Sequence, residues 1–145
     1  MTIPFFVDDT EEHLRIHNIM SHPNSVFVFG SNLGGIHGAG AAKDAYHKYG
    51  AIPRLGIGIQ GRSYAIPTKN ASFDVLPLSE IEVYVRYFLT FAAQHPETTF
   101  AVTRIGCGLS GFNDFEIAPL FATAPANCSL PKHWRDIIEG KQFTF

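Results

Sequence analysis

The chain has 145 residues, of which 46% are hydrophobic and 17% charged, so its composition excludes intrinsic disorder and fits a single domain over residues 1–145. The formal net charge of −2 argues against a nucleic-acid partner, although backbone amides can still bind a small anion. Two cysteines are too few for a disulfide scaffold, and without a signal-peptide pattern or a membrane-length apolar run we expect a cytoplasmic protein with no membrane partner.

The first predicted elements are a helix and a buried strand. Residues 10–20 have a helical pattern, and Asp9 and Glu12 have the spacing of a capping box. The apolar run at residues 25–29 contains no polar alternation, which is typical of a strand covered on both faces.

A second helix and a hairpin follow. Residues 39–49 predict a helix that Gly50 ends, at the position after the C-cap. Residues 55–60 and 63–67 predict two strands, joined by a turn at Gly61.

The clearest helical pattern covers residues 79–94. Ser79 and Glu82 again have capping-box spacing. One face of this helix is apolar, with Ile81, Tyr84, Val85, Phe88 and Ala92.

The last third of the chain repeats the alternation. Residues 99–105 predict a strand, and a short helix follows in which Asn113 and Glu116 occupy the cap and third positions. Residues 128–130 predict a closing strand and residues 134–138 a closing helix. This order predicts an α/β fold of three layers, α/β/α, around a mixed and largely parallel sheet. Ligands of such sheets bind beyond the carboxyl ends of the strands.

The first glycine-rich turn has four glycines in seven residues: Gly34, Gly35, Gly38 and Gly40. A glycine loop that enters a helix offers unpaired N–H groups and the positive end of the helix dipole, and both suit a phosphate. The alternative is that these glycines only form tight turns. Two known phosphate motifs fail here, because Ala41 replaces the P-loop lysine and Lys43 replaces the last glycine of a dinucleotide fingerprint.

A second glycine-rich turn, GCGLSGF at residues 106–112, also lies between a strand and a helix. Two phosphate sites at neighbouring strand ends suit a ligand with two linked phosphates, and Asn32 could hydrogen-bond a sugar. "NLGGIHGAGAA" resembles the first ligand loop of macrodomains, with Asn32 at the position of their ribose-contacting Asn, and "RIGCGLSGF" resembles the loop that wraps the diphosphate of ADP-ribose.

Together with "YAIPTKN" upstream, the second loop most resembles the macrodomain subclass that removes ADP-ribose from glutamate side chains, and uncharacterised macro-like proteins of phages and bacteria. The resemblance covers about residues 26–122. It implies a macrodomain-like fold and a ligand of ADP-ribose type, free or protein-linked. The ligand contacts that it implies are Asn32, Gly34, Gly35, His37, Gly38, Gly40, Thr68, Gly106, Cys107, Gly108, Leu109, Gly111 and Phe112.

The same resemblance implies catalytic roles for Lys69, as nucleophile or charge partner near the anomeric carbon, and for residue 110. In the subclass an Asp follows the G-C-G-L motif, whereas this chain has Ser110. A hydroxyl cannot act as the carboxylate that stabilises an oxocarbenium-like centre. Asp114 and His37 are the next candidates, with helix capping as the ordinary role of Asp114.

Several residues keep two interpretations. His37 could contact the ligand or only pack, and Phe112 could stack on a ribose or base or lie in the core. Cys107 could be imagined as a nucleophile with His37 as its base, but we expect its side chain in the core and its backbone towards the ligand. No early strand contains an adenine-reading Asp, because Asp8 and Asp9 precede a predicted helix.

The pattern predicts no cofactor and no metal, since His13 and His17 share a helix face without a third ligand. Two function classes remain. One is an enzyme that hydrolyses an ADP-ribosyl bond. The other is a non-catalytic module that reads or sequesters an NAD-derived nucleotide signal, for example a phage counter-defence protein.

Overall fold

The computed structural model describes residues 9–140 of the chain. In that range the α-helices are α1 (Asp9–Met20), α2 (Gly40–Lys48), α3 (Leu78–Ala93), α4 (Asp114–Ile117) and α5 (Lys132–Ile138), and a 3-10 helix covers Ala118–Phe121. The strands are β1 (Ser25–Asn32), β2 (Gly58–Gln60), β3 (Ser63–Lys69), β4 (Thr99–Val102) and β5 (Cys128–Ser129).

The strands form one mixed sheet in the order β2-β3-β1-β4-β5. β1 is parallel to both β3 and β4, and β4 is parallel to β5. β2 is antiparallel to β3, as a tight hairpin requires. The predicted three-layer α/β fold with a largely parallel sheet is therefore confirmed.

Alternating residues of β1 place a hydrophobic cluster on each face of the sheet. Val26 and Val28 lie in the larger cluster, with the buried face of α3 and with Trp134 of α5. Phe27 and Phe29 lie in the smaller cluster, which includes the small residues of α2. Both faces of β1 are thus covered, which explains its unbroken apolar sequence.

The predicted apolar face of α3 is confirmed, but its start is not. The helix begins at Leu78 with Pro77 as N-cap, and no side chain caps it. Ser79 therefore lies inside the first turn, and Glu82 accepts a hydrogen bond from Arg86 at 2.7 Å. Pro77, with φ −57° and ψ 145°, is the last residue before the helix, so α3 begins one residue upstream of its predicted start.

The capping box predicted for α1 depends on the Asp9 side chain, which lies outside the described part of the structure. Asp9 is already helical, and Glu12 pairs with Arg15, Oε2 to Nε, at 2.8 Å. The box predicted for α4 is confirmed, since the Asn113 side chain accepts from the Glu116 N–H and the Glu116 side chain accepts from the Asn113 N–H.

Other differences are at the ends of helices and strands: α5 begins at Lys132, two residues earlier than predicted, and β1 extends to Asn32, three residues beyond its predicted end. The predicted turns have the positive φ that favours glycine, +76° at Gly50 and +58° at Gly61. β2 begins at Gly58, three residues later than predicted. β4 ends at Val102, three residues earlier than predicted. Both the N–H and the hydroxyl of Thr103 still donate to the Val28 carbonyl of β1, at 3.1 and 2.8 Å.

Candidate functional site

A cleft of about 1160 Å³ lies at the carboxyl ends of the central strands. Its walls are the end of β1, the end of β3, the segment after β4, and the helices α1 and α2. Both glycine-rich loops reach it, as predicted for ligand loops of an open α/β sheet. Ten of the fifteen predicted site residues line it: Asn32, Gly38, Gly40, Thr68, Lys69, Gly106, Cys107, Gly108, Leu109 and Ser110.

Asn32 holds the first part of the first glycine loop. Its Nδ2 donates to the Ile36 carbonyl at 2.8 Å, and its Oδ1 accepts from the Ile36 N–H at 3.0 Å. One Nδ2 hydrogen and one Oδ1 lone pair are left over from this pair of bonds. The structure therefore gives Asn32 a loop-shaping role at the edge of the cleft.

Gly34 and Gly35 belong to this folded part of the loop and do not line the cleft. A Cβ on Gly35 would lie about 2.3 Å from the carbonyl carbon of Arg54, and its φ is +68°. A Cβ on Gly34 would contact Ala71 at 3.5 Å. Close backbone packing explains the glycine at position 35.

Gly38 differs from Gly35, because no heavy atom of residues 9–140 lies within 4 Å of where its Cβ would be. Gly40, which begins α2, is equally open and has a φ of +58°. The N-cap residue Ala39 provides no side-chain cap, and the first turn contains no acidic residue. The first intrahelical N–H donor is Lys43, which bonds the Ala39 carbonyl. Residues 40–42 line the cleft, and α2 provides no intrahelical acceptor for their amides.

The second glycine loop, like the first, contains both a closely packed glycine and a glycine with open space at its Cβ position. Gly106 is buried at a φ of +77°, its Cβ position 3.2 Å from Ile117 Cδ1, and its carbonyl accepts from the Phe112 N–H at 2.9 Å. Gly108 is exposed, and none of the described residues has a heavy atom within 4 Å of its Cβ position. The tip of the loop at Gly108 and Leu109 thus faces the cleft, and Gly106 anchors it.

Cys107 lies between these glycines with its side chain against the larger core cluster. Burial, followed by the nearby charge of Asp114, raises the pKa of Cys107 to about 12. A thiol with such a pKa is a poor nucleophile at neutral pH. The core position expected for its side chain is confirmed.

Asp114 is held by three hydrogen bonds. Arg104 donates to it from Nε at 3.0 Å and from Nη2 at 2.7 Å, and Trp134 donates from Nε1 at 2.7 Å. Burial alone would raise the pKa of Asp114, but the hydrogen bonds from Arg104 and Trp134 and the charge of Arg104 outweigh it and lower that pKa. Asp114 is the next catalytic candidate after Lys69 and residue 110, but it does not line the cleft. Its contacts support a structural role.

The end of β3 brings the predicted catalytic pair to the cleft. Thr68 is buried, and its hydroxyl oxygen lies 2.7 Å from the hydroxyl oxygen of Ser110. This contact ties the second glycine loop to the strand that carries Lys69. Three of the four Lys and Arg residues lining the cleft are in ion pairs: Arg15 with Glu12, Lys48 with Asp44, and Arg104 with Asp114. Lys69 forms no ion pair with any residue in the described range.

Three predicted residues besides Gly34 and Gly35 lie outside the cleft lining: His37, Gly111 and Phe112. His37 Nε2 lies 3.0 Å from the Ile52 carbonyl oxygen, and its ring edge packs on Phe29. Phe112 packs against the larger core cluster. The packing interpretation of both residues is the one that these contacts support.

Two features of the cleft were missed by the sequence reasoning. The first is the wall formed by α1, where Arg15 donates to the carbonyls of Val102 and Ser129 at 2.7 and 3.0 Å. No motif marked this helix. The second is Phe73, an exposed aromatic residue at the end of the cleft near β3, whose only signal was a large apolar side chain in a polar turn.

The adenine-reading residue stays unassigned. Asp8 lies outside the described residues, and nothing is described of the side chain of Asp9. His13 and His17 line the cleft, but within residues 9–140 no group of three His, Cys, Asp or Glu side chains is placed to hold a metal ion.

No helix among the described residues is long and apolar enough to cross a membrane. Comparison of the chain with protein-family models, curated proteins and solved structures finds no match.

Proposed function

We propose that this protein binds ADP-ribose, or a nucleotide derived from it, in the cleft between the two glycine-rich loops. The observation that carries the proposal is the convergence of Gly38 and Gly108 on one cleft, each with open space where a side chain would be. Neither position has the positive φ that would explain its glycine by turn geometry. A ligand passing close to the backbone at both loops accounts for both glycines.

A diphosphate is the ligand group that best fits this arrangement. The uncapped first turn of α2 offers amides to one phosphate, and the tip of the second loop offers amides to the other. Backbone donors of this kind need no excess of basic residues, in agreement with the net charge of −2. The resemblance of three sequence motifs to macrodomains supports ADP-ribose as the diphosphate.

Binding without turnover is the version that the side chains favour. Ser110 stands where the resemblance implies a catalytic carboxylate, and its hydroxyl pairs with Thr68. Among the described residues the carboxylates lining the cleft are Glu12 and Asp44, and each is in an ion pair. Hydrolysis of an ADP-ribosyl bond is the second candidate, because Lys69 lines the cleft without an ion-pair partner in the described range.

A binding module of this type would read or sequester an NAD-derived nucleotide signal. In a phage, such a protein would blunt a host defence that signals through these nucleotides. This role rests on the resemblance to macro-like proteins of phages and bacteria.

Calorimetry with ADP-ribose tests the proposal, with ADP and ribose 5-phosphate as matched partial ligands. We expect ADP-ribose to bind more tightly than either fragment. ADP has both phosphates but lacks the second ribose, and ribose 5-phosphate has that sugar but only one phosphate. Chromatography of the ligand after incubation then separates the two versions, since a binder returns it intact. Absence of binding to ADP-ribose and to its protein-linked form would contradict the proposal.

A further inference from the structure

Phe73 combines three properties that the fold alone does not require. Its backbone φ is +67°, a left-handed conformation that glycine and asparagine adopt readily and a bulky residue does not. Its surface is 52% exposed. Its side chain nevertheless lines the cleft, four residues after Lys69.

The turn that carries Phe73 is held firmly in this conformation. Asn70 Oδ1 accepts from the N–H groups of Ser72 and Asp74 at 2.9 and 3.0 Å. The Asn70 N–H donates to the Asp74 carbonyl at 2.8 Å, and the Phe73 N–H donates to the Asn70 carbonyl at 3.1 Å. Lys69 and Val75 then close the turn as an antiparallel bridge.

An unfavourable backbone conformation that its neighbours maintain points to a function for the residue concerned. Glycine or asparagine at position 73 would adopt the left-handed backbone at a lower cost in free energy. The Phe73 side chain is half exposed, so its burial does not offset that cost. The feature that the phenylalanine does supply is an aromatic ring on a residue that lines the cleft. Leu109, 74% exposed on the second glycine loop, is a further apolar side chain lining the same cleft.

We propose that Phe73 is a stacking platform for an aromatic ring of the bound nucleotide. The inference rests on the proposed function, and it assigns the ring-binding end of the cleft to the turn at residues 69–75. Bases stack on aromatic side chains through their π faces, whatever their hydrogen-bonding edges. The stacked ring is either the adenine or a second ring on the ribose beyond the diphosphate, such as the nicotinamide of NAD⁺. ADP-ribose carries only the adenine and NAD⁺ carries both rings, so these two ligands distinguish the cases.

The test measures the affinities of ADP-ribose and NAD⁺ for the natural protein and for Phe73→Asn, Phe73→Leu and Phe73→Tyr. We expect Phe73→Asn to have an equal or higher Tm and a Kd roughly tenfold higher or more. Phe73→Leu, which keeps the apolar character, should lose affinity as well, and Phe73→Tyr should restore it. Loss for both ligands identifies adenine as the stacked ring, and loss for NAD⁺ alone identifies the nicotinamide.

Arg54 provides the matched control, because it is the other non-glycine residue with a positive φ in the described range, at +73°, and it does not line the cleft. Arg54→Asn should raise the Tm in the same way and leave both affinities unchanged. Unchanged affinities in Phe73→Leu would overturn the stacking role and leave the proposed function intact. A natural protein that binds neither ligand would overturn both.

Discussion

Substitution of Gly108 by valine separates a glycine needed by the fold from one needed by a ligand. In the described part of the chain no heavy atom lies within 4 Å of the Gly108 Cβ position, and the φ of Gly108 is not in the left-handed region. The folded protein can therefore accept the valine, and the free energy of unfolding should change by about 0.5 kcal/mol or less. At this size the Tm moves by about 2 °C at most.

Ligand binding should respond far more strongly to the same substitution. The added side chain would occupy space at the loop tip where we place a phosphate. Loss of one hydrogen bond between an amide and a charged oxygen costs about 1.5–3 kcal/mol, which is roughly a 10- to 150-fold rise in Kd. Calorimetry with ADP-ribose gives the Kd, and thermal unfolding shows that the variant is folded.

Two further variants make the comparison specific. Ala126→Val adds volume at an exposed loop position that does not line the cleft, so both Tm and Kd should stay unchanged. Gly35→Ala should lower the free energy of unfolding by about 2 kcal/mol or more, because its Cβ would collide with the Arg54 backbone. A folded Gly108→Val protein with unchanged affinity for ADP-ribose would refute the proposed phosphate position.

Lys69→Ala should raise the Kd for ADP-ribose only several-fold, because the backbone carries the phosphates, and it should abolish any turnover seen by chromatography; hydrolysis that persists in this variant would assign the chemistry to another residue. Ser110→Asp should increase hydrolysis of glutamate-linked ADP-ribose by about a hundred-fold or more if Lys69 is catalytic, and an unchanged rate would argue for a pure binder. Asp114→Asn should lower the free energy of unfolding by about 2–4 kcal/mol in urea titrations, since it removes the carboxylate that pairs with Arg104 and accepts a hydrogen bond from Trp134. The native pKa of Asp114 is lowered, so its ionised form stabilises the fold above about pH 4, and this stabilisation is lost as the pH falls further. Below about pH 4 the free energy of unfolding should therefore fall less steeply with pH in Asp114→Asn than in the natural protein. An equally steep fall in both proteins would contradict the ion pair. Cys107, with a pKa of about 12, should react slowly with iodoacetamide at pH 8, and rapid alkylation would show that its thiol is not buried as described.

Several features of this protein follow from local sequence alone. The unbroken apolar run of β1 predicts a strand covered on both faces, and residues of both sheet faces confirm it. The spacing of Ile81, Val85 and Phe88 predicts the buried stripe of α3, because residues three and four apart share one helix face. Local periodicity and turn chemistry act over a few residues, so they can be interpreted without knowledge of the rest of the chain.

Other features depend on segments far apart in sequence that come together only in the folded chain. Gly35 and Gly38 look equivalent in the sequence, yet one packs on Arg54 and the other is open at the cleft. Asp114 resembled a helix cap, and its strongest partners are the guanidinium ten residues before it and the indole twenty residues after it. No motif in the sequence marks Phe73. Local hydrogen bonds hold its left-handed backbone, but its position in the cleft depends on the turn after β3 lying beside the ends of β1 and β4, a proximity set by long-range strand pairing.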